Sequence, residues 1–286
     1  MVYSQTNKTP KSYERDVLSL KGHLVPVFGD RFLYELRPEL IENYKAARVG
    51  HVKPATVNRE LSCLRAMLNK AVQWGYLTDS PMKGIKLLKE PPERVRYLEA
   101  GEVSRLVGAC SEHLKPIVLC ALNTGMRKGE ILNLRWDNVD MHNRMISLDR
   151  TKNNRRRTIP ISGQLYALFL KLPRRGDYVF CNEGGERFGD VRKGFTSALK
   201  RAEIKNFRFH DLRHTFASYL TMSGCNMRTV QQLLGHSTLR TTMKYAHLCK
   251  EHLEEAVNLV GARVSLQIDT NLQQFRVPSG EMQVGP

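Results

Sequence analysis

The chain has 286 residues, of which 41% are hydrophobic, and this length is typical of two domains with ordinary buried cores. Lys and Arg together number 45 against 28 Asp and Glu, which leaves a formal net charge of +17. This excess indicates an acidic partner, and nucleic acid is favoured over a membrane because no run of about 18 apolar residues occurs. Some basic proteins do not bind DNA, so composition alone leaves that alternative open.

The start of the chain and its cysteines indicate the compartment. No apolar segment of the kind that a secretion signal requires lies near the beginning. The 6 cysteines are scattered without a Cys-x-x-Cys pair, which is typical of reduced core thiols rather than disulfides or a zinc site. The sequence therefore predicts a cytoplasmic, nucleoid-associated protein, in the host cytoplasm if a phage encodes it.

Helical periodicity dominates the first part of the chain. Residues 1–10 are polar and are predicted to be loose, and apolar spacing predicts a helix over 12–24. A second helix is predicted to begin near Pro38, and the clearest pattern runs from Thr56 to Trp74, where apolar residues form one stripe. Residues 1–80 are therefore predicted to form a small helical bundle.

The polar face of the helix over 56–74 has two interpretations. Its members are Asn58, Arg59, Ser62, Arg65, Asn69 and Lys70. The face is either an ordinary solvated surface or a DNA-facing one, and the pattern favours neither. In the second case Arg59, Arg65 and Lys70 are the predicted DNA contacts.

A change of pattern separates the two predicted domains. Pro91 and Pro92 cannot continue a helix, and a linker is predicted over 81–96. The second domain, predicted over 97–262, begins with helices over 99–109 and 117–125 and a short helix over 127–136. From Met145 the period becomes that of strands, and residues 145–148 and 158–161 are predicted to pair as a β-hairpin.

The tip of this hairpin, Arg150–Arg157, holds five basic residues in eight. A solvated charged turn is one interpretation. Like charges repel, however, so contact with a phosphate backbone is favoured, with Arg155, Arg156 and Arg157 as predicted DNA-binding residues.

Helical patterns continue after the hairpin, apart from one short predicted strand over 178–180. The predicted helices cover 163–172, 191–202, 210–222, 227–234, 239–245 and 251–260, and a polar tail follows over 263–286.

Four motifs in the second domain contain residues suited to phosphodiester chemistry. They are Thr124-Gly125-Met126-Arg127-Lys128-Gly129-Glu130-Ile131, then Lys152 in the hairpin, then His210-Asp211-Leu212-Arg213-His214-Thr215-Phe216-Ala217, and finally Leu233-Leu234-Gly235-His236 followed by Tyr245. In this order, across about 120 residues, they resemble the tyrosine recombinase (phage integrase) family. The resemblance covers nearly the whole chain, because the helical first domain also resembles that family's core-binding domain.

The resemblance implies a mainly α fold, with a SAM-like core-binding bundle and an α+β catalytic domain that contains a small antiparallel sheet. It implies a site-specific DNA recombinase that integrates or excises DNA through a covalent 3′-phosphotyrosyl intermediate. Arg127 and Arg213 would donate paired hydrogen bonds to the non-bridging phosphate oxygens, and Tyr245 would attack phosphorus. The two guanidiniums would stabilise the transition-state charge, so neither a metal nor a cofactor is predicted.

The remaining site residues have supporting roles in the family. Lys152 would give a proton to the leaving 5′-oxygen, although arginines on the same hairpin are alternatives. His210 would assist proton removal from the tyrosine, and His236 would donate a hydrogen bond to the phosphate. Glu130 would orient active-site groups from one helical turn after the first arginine. His214, by contrast, is interpreted as structural.

Two other functions share some of these features. A type IB topoisomerase has the same active-site chemistry and relaxes DNA as a monomer. A DNA-binding regulator would keep the fold without catalysis, but the complete set of active-site residue types argues against this.

The predicted partners follow from the same resemblance. They are double-stranded DNA and further copies of the chain, as a homotetramer on paired DNA sites and a monomer when free. A segment after Tyr245 is expected to dock on a neighbouring protomer, and an accessory DNA-bending protein is a further candidate partner. The chain begins almost directly at the core-binding helices, so an additional N-terminal arm-binding domain is not expected within it.

Overall fold

A computed structural model describes residues 2–91, 94–148, 157–249, 257, 258 and 260. The chain divides into two compact units, Met1–Glu93 and Arg94–Pro286, and the boundary falls inside the predicted linker 81–96. None of the helices in the described part of the chain has the length and apolar composition that crossing a membrane requires.

Helices build the first unit. They are α1 Val2–Asn7, α2 Pro10–Ser19, α3 Val25–Phe28, α4 Pro38–Arg48 and α5 Pro54–Gln73, with a π-helical turn at Leu20–Leu24 and a 3₁₀ turn at Leu33–Glu35. Proline stands in the first turn of α2, α4 and α5, where its missing N–H removes no helical hydrogen bond. The prediction that residues 1–10 are loose is wrong. In α1, the ring of Tyr3 packs edge-on against Trp74 and beneath the Lys70 ammonium, which ties the helix to the end of α5.

The apolar stripe of α5 forms the centre of the first core, as its spacing predicts. Leu61, Leu64 and Leu68 are buried there, together with residues from α4. Met82 and Ile85 join the same core, so the beginning of the predicted linker packs within the first unit.

The polar face of α5 differs from both interpretations at Asn58, and the neighbouring Glu60 is buried as well. Asn58 is buried, its amide donates to the carbonyl of Leu88 at 2.9 Å, and its side-chain oxygen accepts from the N–H of Leu88 at 2.8 Å. Glu60 is also buried and accepts hydrogen bonds from Arg48 at 2.6 and 3.0 Å. These two residues hold the first unit together, and the prediction that Asn58 lies on a surface is wrong.

The second unit combines helices with one sheet. Its helices are α6 Ala100–Ala109, α7 Leu114–Thr124, α8 Lys128–Leu132, α9 Gly163–Lys171, α10 Arg192–Arg201, α11 Asp211–Met222 and α12 Met227–Leu234. Its 3₁₀ segments are Trp136–Asn138, Leu239–Thr241 and Met243–Cys249.

The sheet contains the predicted hairpin and one further strand. Strands β1 Val139–Asp140, β2 Met145–Leu148 and β3 Arg157–Pro160 lie in the order β1-β2-β3, with antiparallel neighbours. Leu148 pairs with Arg157 at the end of the hairpin nearest its tip. The hairpin is confirmed, while residues 149–156 of the tip lie outside the described residues.

Three further predictions in this unit need correction. Residues 178–180 do not form a strand, because Tyr178 makes only an isolated bridge to Arg135. The helix predicted over 127–136 ends at Leu132, and residues 239–245 form 3₁₀ turns rather than an α-helix. The predicted fold class, mainly α with a small antiparallel sheet, is confirmed.

Candidate active site

Arg213 lies on the first turn of α11 and is 3% exposed. Its Nη1 donates to the carbonyl of Gly125 at 2.7 Å, and its Nη2 donates to the carbonyl of Leu234 at 2.6 Å. Both acceptors stand where a helix ends, α7 in one case and α12 in the other, and carbonyls there have no intrahelical partner. The Arg213 guanidinium therefore donates to otherwise unpaired carbonyls at two helix ends, and these two hydrogen bonds fix its position.

Burial, with the neighbouring Arg127 and Arg157 next in effect, lowers the pKa of Arg213 to about 9. A pKa of about 9 still leaves the guanidinium charged at neutral pH. A buried, charged group of this kind is strongly attractive to an anion, because little water screens it.

Arg127 begins α8 and is held by Glu130. The Glu130 carboxylate accepts from the backbone N–H of Arg127 at 2.8 Å and from its Nη1 at 2.9 Å. The Arg127 side chain keeps 36% of its surface exposed, so it is oriented on one side and open to solvent on the other. This arrangement agrees with the orienting role predicted for Glu130, which stays a prediction.

His236 follows the left-handed Gly235 that ends α12. Its Nδ1 lies 2.9 Å from the Oγ1 of the buried Thr242. Burial, with Arg213 and Lys244 next in effect, lowers the pKa of His236 to about 3. The ring is therefore neutral at ordinary pH, and in the tautomer whose Nδ1 accepts from the Thr242 hydroxyl, Nε2 carries the proton and is a donor.

Tyr245 lies in the 3₁₀ segment Met243–Cys249 and is 1% exposed. Its Oη is hydrogen-bonded to Nδ1 of His214 at 2.6 Å. The ring belongs to a small apolar cluster with Val230 and Leu234 of α12. The predicted nucleophile is thus held on the inner side of α11.

His210, the predicted helper of the tyrosine, stands just before α11. It is exposed, and its ring meets the ring of His214 edge-on at 5.2 Å between centroids. The structure places His214 in direct contact with the Tyr245 hydroxyl, and the role predicted for His210 stays a prediction.

Most of the predicted catalytic residues come together around α11. Arg127 and Arg213 both lower the pKa of His236, while Tyr245 raises that of Arg213, so these groups lie within electrostatic range of one another. Lys152, Arg155 and Arg156 lie outside the described residues.

The predicted DNA-binding residues of α5 have different surroundings. Arg59 is exposed, whereas Arg65 donates from Nη2 to the carbonyl of Ile85 at 2.8 Å. Lys70 donates to Oε1 of Gln73 at 2.6 Å. DNA contact by these residues stays a prediction. Arg59 is the most exposed of the three side chains.

Sequence reasoning underestimated two residues, Arg157 and His214. Charge alone predicts that Arg157 contacts DNA. Its position in the strand, however, places it on the same inward face of β3 as Ile159. His214 lies one helical turn before the buried Ser218, so helical periodicity indicated burial although not its partner.

Comparison with known proteins relates this site to a family. The model of the phage integrase family matches residues 96–252. The chain is 37% identical over 246 residues to the integrase of Haemophilus phage HP1 (strain HP1c1), covering 80% of this chain and 69% of that protein. It is 32% identical over 235 residues to the integrase of Escherichia phage P2, covering 82% of this chain and 67% of that protein.

The fold is also similar to that of a solved structure. The crystal structure of a lambda integrase dimer bound to a COC′ core site is similar with a TM-score of 0.73. The alignment covers 85% of this chain and 91% of that chain at 19% sequence identity.

Proposed function

The chain belongs to the phage integrase family and is a site-specific tyrosine recombinase, and we propose on that premise how its own residues cut and rejoin DNA. The observation that carries this proposal is the fixed, buried guanidinium of Arg213 within electrostatic range of Arg127, His236 and Tyr245. A phosphodiester is an anion that gains charge as it is attacked. A preorganised cation is the group that stabilises such a transition state most strongly.

The proposed cleavage step uses Tyr245 as nucleophile. Its Oη forms a bond to phosphorus, the bond from phosphorus to the 5′-oxygen breaks, and a 3′-phosphotyrosyl link remains. Arg127 and Arg213 donate hydrogen bonds to the non-bridging oxygens, and the N–H of His236 donates another. The assignment uses the tautomer in which Nδ1 of the neutral ring accepts from the Thr242 hydroxyl, because Nε2 then carries the proton that it donates.

Two proton transfers complete the step. The tyrosine proton passes to a histidine, for which His210 is the proposed acceptor, and Lys152 gives a proton to the departing 5′-oxygen. The new bond keeps the energy of the old one. The 5′-hydroxyl of another strand can therefore attack it, release Tyr245 and join the two strands.

The proposed partner is double-stranded DNA, bound by a homotetramer that holds two sites together and by a monomer before assembly. In similar solved structures, lambda integrase is a dimer bound to a core site and a tetramer bound to a Holliday junction. The net charge of +17 supports DNA as the partner of this chain. The Arg59, Arg65, Lys70 and hairpin arginine contacts belong to the same proposal.

Sequencing of recombination junctions tests the function. Cells that express the chain together with its native flanking DNA should yield junctions at one recurring short site. The matched control is Arg213→Gln, which removes the buried cation and should yield none. Junctions scattered without a common site, or relaxation of plasmids without strand exchange, would contradict site-specific recombination and favour a topoisomerase.

A further inference from the structure

Arg157, the first residue of β3, is a third guanidinium in the candidate active site. Its side chain is 8% exposed. Its Nη1 donates to the carbonyl of Leu234 at 2.7 Å, and its Nη2 donates to Oε2 of Glu130 at 2.7 Å. Both terminal nitrogens are therefore engaged within the protein, as those of Arg213 are.

The two acceptors are the groups that also hold the phosphate-binding arginines. The carbonyl of Leu234 accepts from Arg213 as well, at 2.6 Å. The Glu130 carboxylate accepts from Arg127 as well, at 2.9 Å. Arg157 thus shares one hydrogen-bond acceptor with each of the two arginines that are proposed to bind the phosphate.

The chain makes room for this side chain at Gly235. That residue has a φ of +63°, and a Cβ built there would lie 2.2 Å from Nη1 of Arg157. Any larger residue would therefore displace the guanidinium as well as strain the helix end.

Burying a third cation beside two others is electrostatically unfavourable. Burial lowers the pKa of Arg157, and Glu130 offsets part of that effect while Arg127 adds to it. A cation buried under such conditions needs compensating interactions. We propose, on the basis of the function above, that Arg157 is a positioning residue that fixes Arg127 and Arg213 relative to each other through Glu130 and the Leu234 carbonyl.

This role has a chemical consequence at Arg127. By drawing Oε2 of Glu130 towards itself, Arg157 shares the carboxylate and reduces its neutralisation of Arg127. The first arginine then keeps more of its charge available for the phosphate. The same contacts also fix the beginning of β3.

Single-turnover cleavage tests the proposal with a nicked suicide substrate built on the recombination site identified in cells. Arg157→Gln and Arg157→Lys should slow formation of the covalent adduct by up to about 100-fold, because small misplacements of catalytic groups are costly. The Kd for DNA and its salt dependence should stay unchanged. The matched control is Arg135→Gln, which removes an exposed arginine of the same unit and should have no effect.

A second substrate separates positioning from a general loss of structure. Replacing one non-bridging oxygen of the scissile phosphate by methyl removes its charge, so the defect of Arg157→Gln should shrink on that substrate, as should that of Arg213→Gln. An equal defect on both substrates would overturn the proposal. A weaker Kd with a salt slope lowered by about 1 would also overturn it and indicate a phosphate-backbone contact. Absence of adduct with the unmodified chain would instead overturn the proposed function itself.

The contact between Tyr245 and His214 carries a separate inference. Their side chains are 1% and 3% exposed, and their hydrogen bond measures 2.6 Å. Nucleophilic attack requires the reacting atoms to approach to about 3–3.5 Å. The Tyr245 hydroxyl is therefore held in the interior by a buried imidazole.

The segment that bears the tyrosine is suited to movement. Met243–Cys249 is a run of 3₁₀ turns, whose hydrogen-bond geometry is poorer than that of an α-helix. From this, again on the basis of the proposed function, we infer that His214 holds Tyr245 in a buried resting position. Cleavage then requires this hydrogen bond to open.

Nitration of tyrosine by tetranitromethane, followed by peptide mass spectrometry, measures this burial in the DNA-free chain. His214→Phe keeps the ring volume and removes the bond, so Tyr245 should be nitrated several-fold faster and should form the covalent adduct faster. His214→Asn places an oxygen near the position of Nδ1 and should restore protection. The matched control is Tyr219→Phe on the same helix, which removes the half-buried hydroxyl that donates to Leu98 and should change neither rate.

Three outcomes would overturn this inference. Tyr245 could be nitrated in the native chain as fast as in the unfolded chain. Nitration could remain unchanged in His214→Phe. Adduct formation could fall in that variant while nitration rises, which would assign His214 to the chemical step instead of to a resting state.

Discussion

At the scale of single residues, the site depends on one guanidinium that is oriented before any DNA arrives. Arg213 spans the carbonyls of Gly125 and Leu234 with two different nitrogens. Gly125 itself adopts a φ of +61°, and a Cβ there would lie 2.4 Å from the ring of Phe216. A side chain at this position would therefore shift the helix end whose carbonyl accepts from Arg213.

Arg213→Lys tests this geometry. Lysine keeps the charge but offers a single nitrogen, which cannot span both carbonyls. Adduct formation should fall about 100- to 1000-fold while DNA binding is retained, as measured by single-turnover cleavage and gel shift. The exposed Arg192→Lys is the control, and a loss of less than about tenfold would show that orientation contributes little.

His236 predicts a pH dependence of stability. Its pKa is about 3 in the folded chain against an ordinary value of 6.5, so the unfolded chain binds a proton in that window and the folded chain does not. The free energy of unfolding should therefore fall as the pH drops from 6.5 towards 3, and this contribution should be constant above the window. The slope has an upper limit of about 1.4 kcal/mol per pH unit.

Urea unfolding at about pH 7.5 and about pH 5 measures this effect. His236→Gln removes the titrating group, so its stability should decline less over that interval than that of the original chain. Equal declines in the two proteins would mean that His236 titrates normally.

At the scale of elements, α5 joins its unit through polar contacts as well as apolar ones. Asn58 exchanges two hydrogen bonds with the backbone of Leu88 and donates a third to Glu90 at 2.7 Å. These bonds attach the segment after α5 to the helix. Each of these three hydrogen bonds contributes to the free energy of unfolding, and loss of the amide removes all three.

Asn58→Ala should destabilise the first unit by about 1–3 kcal/mol, because it leaves backbone groups of Leu88 without their partner. Trp74 and Trp136 are the 2 tryptophans of the chain, one in each unit, so Trp74 fluorescence in a Trp136→Phe background reports unfolding of the first unit. Ser62→Ala, on the same helix but exposed, is the control. An effect no larger than that of the control would contradict the structural role of Asn58.

Sequence patterns predicted elements better than their contacts. The 3.6-residue stripe of α5 and the two-residue period of the hairpin follow from side chains within one element, so they are visible locally. The partner of Asn58 lies 30 residues away, and nothing in the helix itself indicates it. The strand expected at 178–180 has the right residue types but meets only one bridging residue, Arg135.

The candidate site shows the same division. The types and order of Arg127, Arg213, His236 and Tyr245 are contained in motifs, which predicted that they belong together. The shared acceptor of Arg157 and Arg213 arises only when α12 ends beside β3, a tertiary arrangement that spacing does not encode.

At the scale of the whole molecule, the net charge makes assembly of the tetramer depend on bound DNA. A net charge of +17 makes free chains repel one another, and DNA phosphates neutralise that repulsion. The chain should therefore be monomeric in solution and tetrameric on paired sites, which mass photometry with and without DNA measures. DNA of unrelated sequence is the control and should not yield tetramers. A stable tetramer without DNA would contradict this account.

Covalent trapping tests the central claim, that Tyr245 is the nucleophile. A suicide substrate should leave a nucleotide attached to a peptide that contains Tyr245, as identified by mass spectrometry after digestion. Tyr245→Phe should form no adduct yet bind DNA normally. Tyr219→Phe, which removes another hydroxyl bonded within the fold, should form the adduct as before. An adduct that persisted in Tyr245→Phe, or that mapped to a different residue, would contradict the account.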